Sequence, residues 1–195
     1  PTIIDLGAHI GMSVAHWKNL AKGAKITAVE ANPETTQLLK SNITRNELAD
    51  VNVVDGAISS HDGTVDLYMP KAGVDFRWGY FVGDVPQNPD QYDKKTVNAI
   101  KLSSLINGPV DLLKIDIEGS EVEALKEAGT KLGQVKEIIM EFHNNPSNTK
   151  NKFDDMLQAL QSNGFTIELI DKGRTFDAAS FDRSRELQFM VRATR

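Results

Sequence analysis

Four acidic residues close strand-like runs in this chain: Asp5, Glu30, Asp55 and Asp116. Open α/β sheets bind ligands at the carboxyl ends of their strands, so acids in those places converge on a common ligand. The first opens the turn Asp5-Leu6-Gly7-Ala8-His9-Ile10-Gly11. A dinucleotide loop reads G-x-G-x-x-G, because bare backbone must close on a pyrophosphate. Here the glycines are Gly7 and Gly11, and His9 takes the middle position. Fewer glycines and a leading acid suit a ligand with a cationic end and no phosphate, a description that S-adenosylmethionine meets. In that reading Glu30 accepts both ribose hydroxyls and Asp55 accepts from the adenine amino group. A backbone N–H of the Asp55-Gly56-Ala57 turn donates to the ring, and Asp116 lies beside the sulfonium. Each acid alone has a plainer role as a helix cap, a turn residue or a solvated charge. Their recurrence at successive strand ends argues for a pocket.

The same pattern supplies candidates for a base. If such a ligand gives its methyl group to an unactivated alcohol, the hydroxyl proton must be lost, and a positioned base typically contributes 10²–10⁴-fold. Asp116, Glu118, Glu141 and His143 are the candidates. His143 titrates near neutral pH by residue type. Glu141, two residues earlier, points to the same side of an extended strand. Glu118, and Glu121 after it, also suit the favourable start of a helix. Lys114, two positions before Asp116, is expected to pair with an acid. Asp116, Glu141 and His143 offer metal-ligating atoms, but their spacing fixes no geometry and no required metal is expected.

These residues need a scaffold, and the chain alternates strand-like and helix-like segments as a mostly parallel sheet with flanking helices does. Strands are expected at 2–6, 26–29, 51–54, 110–117 and 135–142. Between them, residues 11–22 read as a helix with Val14, Trp17 and Ala21 on one face. Asn32-Pro33 opens a second helix, with Leu38, Leu39 and Ile43 on its apolar side. Ser120-x-x-Glu123 reads as a capping box that starts a third. A helix at 152–163 follows, and 165–170 pairs with 187–191 as a closing antiparallel ribbon. The rhythm breaks after Ser59: a strand at 64–69, a long irregular stretch from 70 to 95 and a strand at 96–102 form an insertion. Its aromatic residues Phe76, Trp78, Tyr80 and Phe81, with Arg77, are expected to form an acceptor platform, since long loops in compact domains are usually functional.

Composition sets outer limits. The chain has 195 residues, 40% hydrophobic and 25% charged, which matches one globular domain with a substantial core. A net charge of −5 without a basic run argues against a nucleic-acid partner. No apolar run reaches the roughly 18 residues of a membrane span, and no signal peptide is visible, so a cytoplasmic location is expected. Cysteine is absent, which removes disulfides, thiolate metal sites and cysteine nucleophiles. His16 and His61 read as surface residues.

Three segments carry a family resemblance: Asp5 to Gly11, Val29-Glu30-Ala31-Asn32-Pro33, and Leu113-Lys114-Ile115-Asp116-Ile117-Glu118-Gly119-Ser120-Glu121. Together with Glu141-Phe142-His143 they resemble the FkbM family of class I S-adenosylmethionine-dependent methyltransferases, over residues 3 to about 143. The resemblance implies a Rossmann-like fold with a seven-stranded, mostly parallel sheet. It implies cofactor contacts along Asp5, Gly7, Ala8, His9 and Gly11, at Glu30, Ala31 and Asn32, and at Asp55, Gly56, Ala57 and Asp116. It also implies methyl transfer to a hydroxyl of a sugar or secondary metabolite, so a small-molecule or glycan acceptor. His9 stands where relatives usually carry Asn, and relatives usually have residues ahead of strand one, so a trimmed N-terminus is expected. Nitrogen acceptors, a non-catalytic cofactor-binding module and a nicotinamide-dependent oxidoreductase are the competing readings, the last disfavoured by His9.

Overall fold

The computed structural model describes residues 1–73, 81–83, 86 and 88–195. In chain order it forms β1 (Thr2–Leu6), α1 (Met12–Leu20), β2 (Lys25–Glu30), α2 (Pro33–Arg45) and β3 (Val51–Asp55). The insertion contains β4 (Ala57–Ile58), β5 (Gly63–Pro70), β6 (Phe81–Val82) and β7 (Tyr92–Ile100). Then come α3 (Leu102–Leu105), β8 (Val110–Ile115), α4 (Glu121–Ala128), β9 (Val135–Asn144) and α5 (Phe153–Ser162). The chain closes with β10 (Thr166–Asp171), β11 (Arg174–Phe176) and β12 (Leu187–Thr194).

The main sheet runs β11-β10-β12-β9-β8-β1-β2-β3. Its five central and edge strands from β9 to β3 pair in parallel, and β12 inserts antiparallel between β9 and β10. The expected architecture is thus observed with one strand more than the seven anticipated. The extra strand arises at Lys172-Gly173, where φ values of 48° and 75° make the two-residue turn that a tight hairpin needs. Asp171 then pairs with Arg174 across it.

Alternate residues of β1 feed two cores, as the two faces of a pleated strand require. Ile4 and Leu6 join Val122 and Leu125 of α4 and Phe153 and Met156 of α5. Ile3 joins Val14 of α1 and Leu39 of α2 on the opposite face. Leu38 faces solvent at 56% exposure, so the apolar side of α2 is narrower than anticipated; Leu39 and Ile43 carry it. Asn32 caps α2 as expected, its side chain accepting from Glu34 N at 3.0 Å. The capping box at Ser120 does not form: Ser120 makes no side-chain cap bond, and Glu123 instead accepts from Ser60 N in the insertion.

The insertion is a second sheet of order β4-β7-β5-β6, larger than the two expected strands. Phe76, Arg77, Trp78 and Tyr80 lie outside the described residues; Phe81 pairs with Tyr68 through β6. In the main sheet the chain leaves β1 toward β2 and β3, then returns to β8 on the other side of β1. That reversal at β1 is where doubly wound sheets open a crevice.

Candidate functional site

The turn after β1 is held by its own backbone and by acids behind it. Gly7 has φ of +74°, and a Cβ there would lie 1.9 Å from the carbonyl oxygen of Asp116. Only glycine allows β1 and β8 to end this close together. His9 also takes positive φ, 49°, a conformation in which Asn, Asp and His are enriched. A histidine at this position is therefore compatible with the turn. The His9 N–H donates to Glu30 Oε2, and the Asn32 N–H donates to Glu30 Oε1, each at 2.9 Å. Glu30 thus ties the turn after β1 to the turn after β2. Burial lifts its pKa above the usual carboxylate range, against the pull of the Asn32 and His9 N–H groups.

Asp5 is fully buried. Ser13 Oγ donates to its Oδ2 at 2.5 Å, while Oδ1 accepts no hydrogen bond although Lys114 Nζ stands 3.3 Å away. Lys114 Nζ donates to Gly7 O at 2.8 Å and lies 3.5 Å from Asp116 Oδ2. The anticipated pairing of Lys114 is therefore double. It neutralises a buried acid and fastens the first turn to β8, because an unpaired buried carboxylate is costly.

A cleft opens against these turns. Gly7, His9, Glu30 and Ala31 form one wall, Gly56, Ala57 and Ile58 a second, and Asp116, Glu118 and Ser120 a third, with Leu67 and Val82 reaching in from the small sheet. Five of the anticipated cofactor residues frame the cleft from outside this wall. Asp5, Ala8 and Gly11 build the turn, Asn32 caps α2, and the Asp55 carboxylate lies 3.8 Å from Lys40. Among the described residues, the charged side chains on the wall are Glu30, Asp116 and Glu118, beside His9, with no Lys or Arg. That donor set suits a cation and repels phosphate.

At the third wall the base candidates meet. Glu118 follows β8 in a left-handed conformation, φ 55°, with its Oε2 3.5 Å from His143 Nε2. His143 stands behind it on β9, and its Nδ1 donates to Glu121 Oε1 at 2.8 Å. Burial opposes the charged imidazole. The Glu121 hydrogen bond and the charges of Glu121, Glu118 and Asp116 outweigh that, and raise the His143 pKa to about 9. At neutral pH the ring is therefore the imidazolium, whereas residue type alone suggests a neutral base. The Glu118 side chain is 41% exposed; the partial desolvation it does suffer raises its pKa, with Asp116, Glu121 and Glu141 adding repulsion and His143 opposing it. Glu141 is raised in the same way, by burial first and then by Asp116. Asp116, Glu118 and His143 place one ligating atom each within 4.8 Å of one another.

Sequence reasoning missed two members of this group. Glu121, read as a helix-start charge, is fully buried beneath His143. Asn151, which no motif marks, donates to Glu121 Oε2 at 2.5 Å and to the His143 carbonyl at 3.0 Å.

The model described as the methyltransferase FkbM domain matches residues 5–167. The chain belongs to the FkbM methyltransferase family. Methyltransferase sdnD of Sordaria araneosa is 26% identical over 196 residues, covering 86% of this chain and 74% of that protein. Among solved structures, Aeropyrum pernix fibrillarin with bound S-adenosyl-L-methionine gives a TM-score of 0.54 at 13% identity, covering 99% of this chain and 66% of that one. Precorrin-6y C5,15-methyltransferase of Geobacter metallireducens gives 0.53 at 12%, covering 100% and 80%. At such identities the likeness is one of fold. The cofactor of this FkbM methyltransferase is S-adenosylmethionine, and the acidic, phosphate-repelling wall fits its cationic end. No helix among the described residues is long and apolar enough to cross a membrane.

Proposed function

We propose that this FkbM methyltransferase methylates a hydroxyl of a sugar or secondary-metabolite acceptor, with Glu118 taking the hydroxyl proton. The carrying observation is that Glu118 lines the cleft with a raised pKa and an imidazole at its back. A carboxylate lifted toward neutrality is a better proton acceptor than an ordinary one. When bound, S-adenosylmethionine supplies a methyl carbon on a positively charged sulfur. The chain's own tasks are to orient and to deprotonate. Glu30, Gly7 and the Gly56-Ala57 wall hold the nucleoside side, and Asp116 faces the cationic end. His143 holds Glu118, and Glu141 adds negative charge that keeps Glu118 basic. Residues 1–195 act as one domain, in the cytoplasm, on a small-molecule or glycan acceptor rather than a nucleic acid.

The test is an acceptor screen with labelled methyl donor across hydroxyl and amine compounds. Hydroxyl acceptors are expected to be labelled, and Glu118→Gln to lower turnover by roughly 10²–10⁴-fold. Labelling of amines alone, or unchanged turnover in Glu118→Gln, overturns the reading. The nicotinamide alternative fails if S-adenosylhomocysteine binds in calorimetry and NAD does not.

A further inference from the structure

We infer that Glu121 and Asn151 are positioning residues, a buried bracket that fixes the His143 imidazole with its Nε2 edge toward the Glu118 carboxylate. The inference rests on the proposed role of Glu118.

Glu121 is 0% exposed and Asn151 1%. A carboxylate in such a place is tolerated only with its lone pairs satisfied. Three donors satisfy it: the Gly119 N–H at 3.0 Å, the His143 Nδ1 at 2.8 Å and the Asn151 side chain at 2.5 Å. Asn151 is itself fixed on both sides. Its Oδ1 accepts from Val122 N at 2.9 Å, and its amide also donates to the His143 carbonyl at 3.0 Å. The bracket therefore grips both the backbone and the ring of one residue. A core position that only needed filling would be served as well by an apolar side chain, since replacing buried ion pairs by packed hydrophobes is often neutral or stabilising. The geometry instead matches the way a buried acid fixes an imidazole: one ring nitrogen is held, which sets the ring's orientation and aims the other. Here the aimed nitrogen, Nε2, lies 3.5 Å from Glu118 Oε2, and Glu118 lines the cleft. The chain of contacts runs Asn151, Glu121, His143, Glu118, from core to cleft.

The test is a long-range proton–nitrogen NMR spectrum of the full chain labelled with ¹⁵N. The chain has 4 histidines, so His143→Gln assigns the signal. At pH 7.5 the wild type is expected to show His143 protonated on both nitrogens, with an Nδ1–H protected from exchange. In Glu121→Gln and Asn151→Ala that Nδ1–H is expected to exchange away. Turnover of a screened acceptor should fall roughly 100-fold, as misplacement near a reacting group does, with S-adenosylhomocysteine affinity within about twofold of wild type because the nucleoside wall is untouched. The wild-type spectrum decides even if a variant fails to fold: an unprotected or unprotonated Nδ1 overturns the bracket. So does an unchanged spectrum in both folded variants. An intact signature beside full turnover in Glu118→Gln overturns the base assignment instead, which keeps the two failures apart.

Discussion

His143 illustrates how far a residue's neighbours can move its chemistry. By type it titrates near 6.5, and folding raises that to about 9. The folded state therefore binds this proton more tightly than the unfolded chain does. The resulting stabilisation is fully present below pH 6.5 and is lost as pH rises through about 9. A shift of that size corresponds to roughly 3 kcal/mol. Denaturant melts of wild type and His143→Gln between pH 6 and 9.5 should thus converge: the wild type is the more stable at pH 6, and the gap closes by pH 9.5. A gap independent of pH would mean that Glu121 does not hold the charge. None of this was legible from residue 143 alone. The sequence pattern put His143 two places after Glu141 on a strand end, and that is where it lies on β9. What it lacked was the partner, because Glu121 reaches His143 only once α4 packs under β9. Asn151 carries no motif at all, being a loop residue whose partners are 30 and 8 positions away in the chain. Glu30, by contrast, was legible as a pocket acid from its place at the end of β2.

At the scale of elements, the decisive junction is the meeting of β1 and β8. Gly7 and Gly173 share nearly the same positive φ, +74° and +75°, yet a Cβ at Gly173 meets nothing within 4 Å while one at Gly7 strikes the Asp116 carbonyl. The pair separates conformational strain from contact. Gly173→Ala is expected to cost about 1–2 kcal/mol, the strain alone. Gly7→Ala adds a backbone clash that flexible side chains cannot relieve, so roughly 3 kcal/mol or more is expected. It should also weaken S-adenosylhomocysteine binding at least about tenfold in calorimetry, since β8 must move away from the turn. Equal costs at the two positions would show that β1 and β8 are not locked at Gly7. The parallel strands were legible because their apolar runs end in acids and alternate with helices. The β10–β11 hairpin was not, because Lys172-Gly173 is a weaker turn signal than Asn-Gly. The capping box failed for another reason: Glu123 finds Ser60 in the insertion, a tertiary bond that outcompetes a local one.

For the molecule as a whole, the cleft belongs to neither sheet alone. Gly7 and Glu30 come from the main sheet, whereas Ala57, Leu67 and Val82 come from the small one. A ligand seated between them must couple their motions, because binding to the folded state alone stabilises whatever it bridges. At a hundredfold excess over its dissociation constant that linkage amounts to about 2.7 kcal/mol. Hydrogen exchange should report where it acts. Adding S-adenosylhomocysteine is expected to slow exchange in β1, in β4 and around Leu67 of β5. The β10–β11 hairpin opens locally at the far edge of the main sheet, so its rate should stay the same. Protection confined to β1 and β2 would mean that the small sheet does not close on the cofactor, and its contribution would then fall to the acceptor side. Protection in both sheets assigns the insertion a share in holding the cofactor.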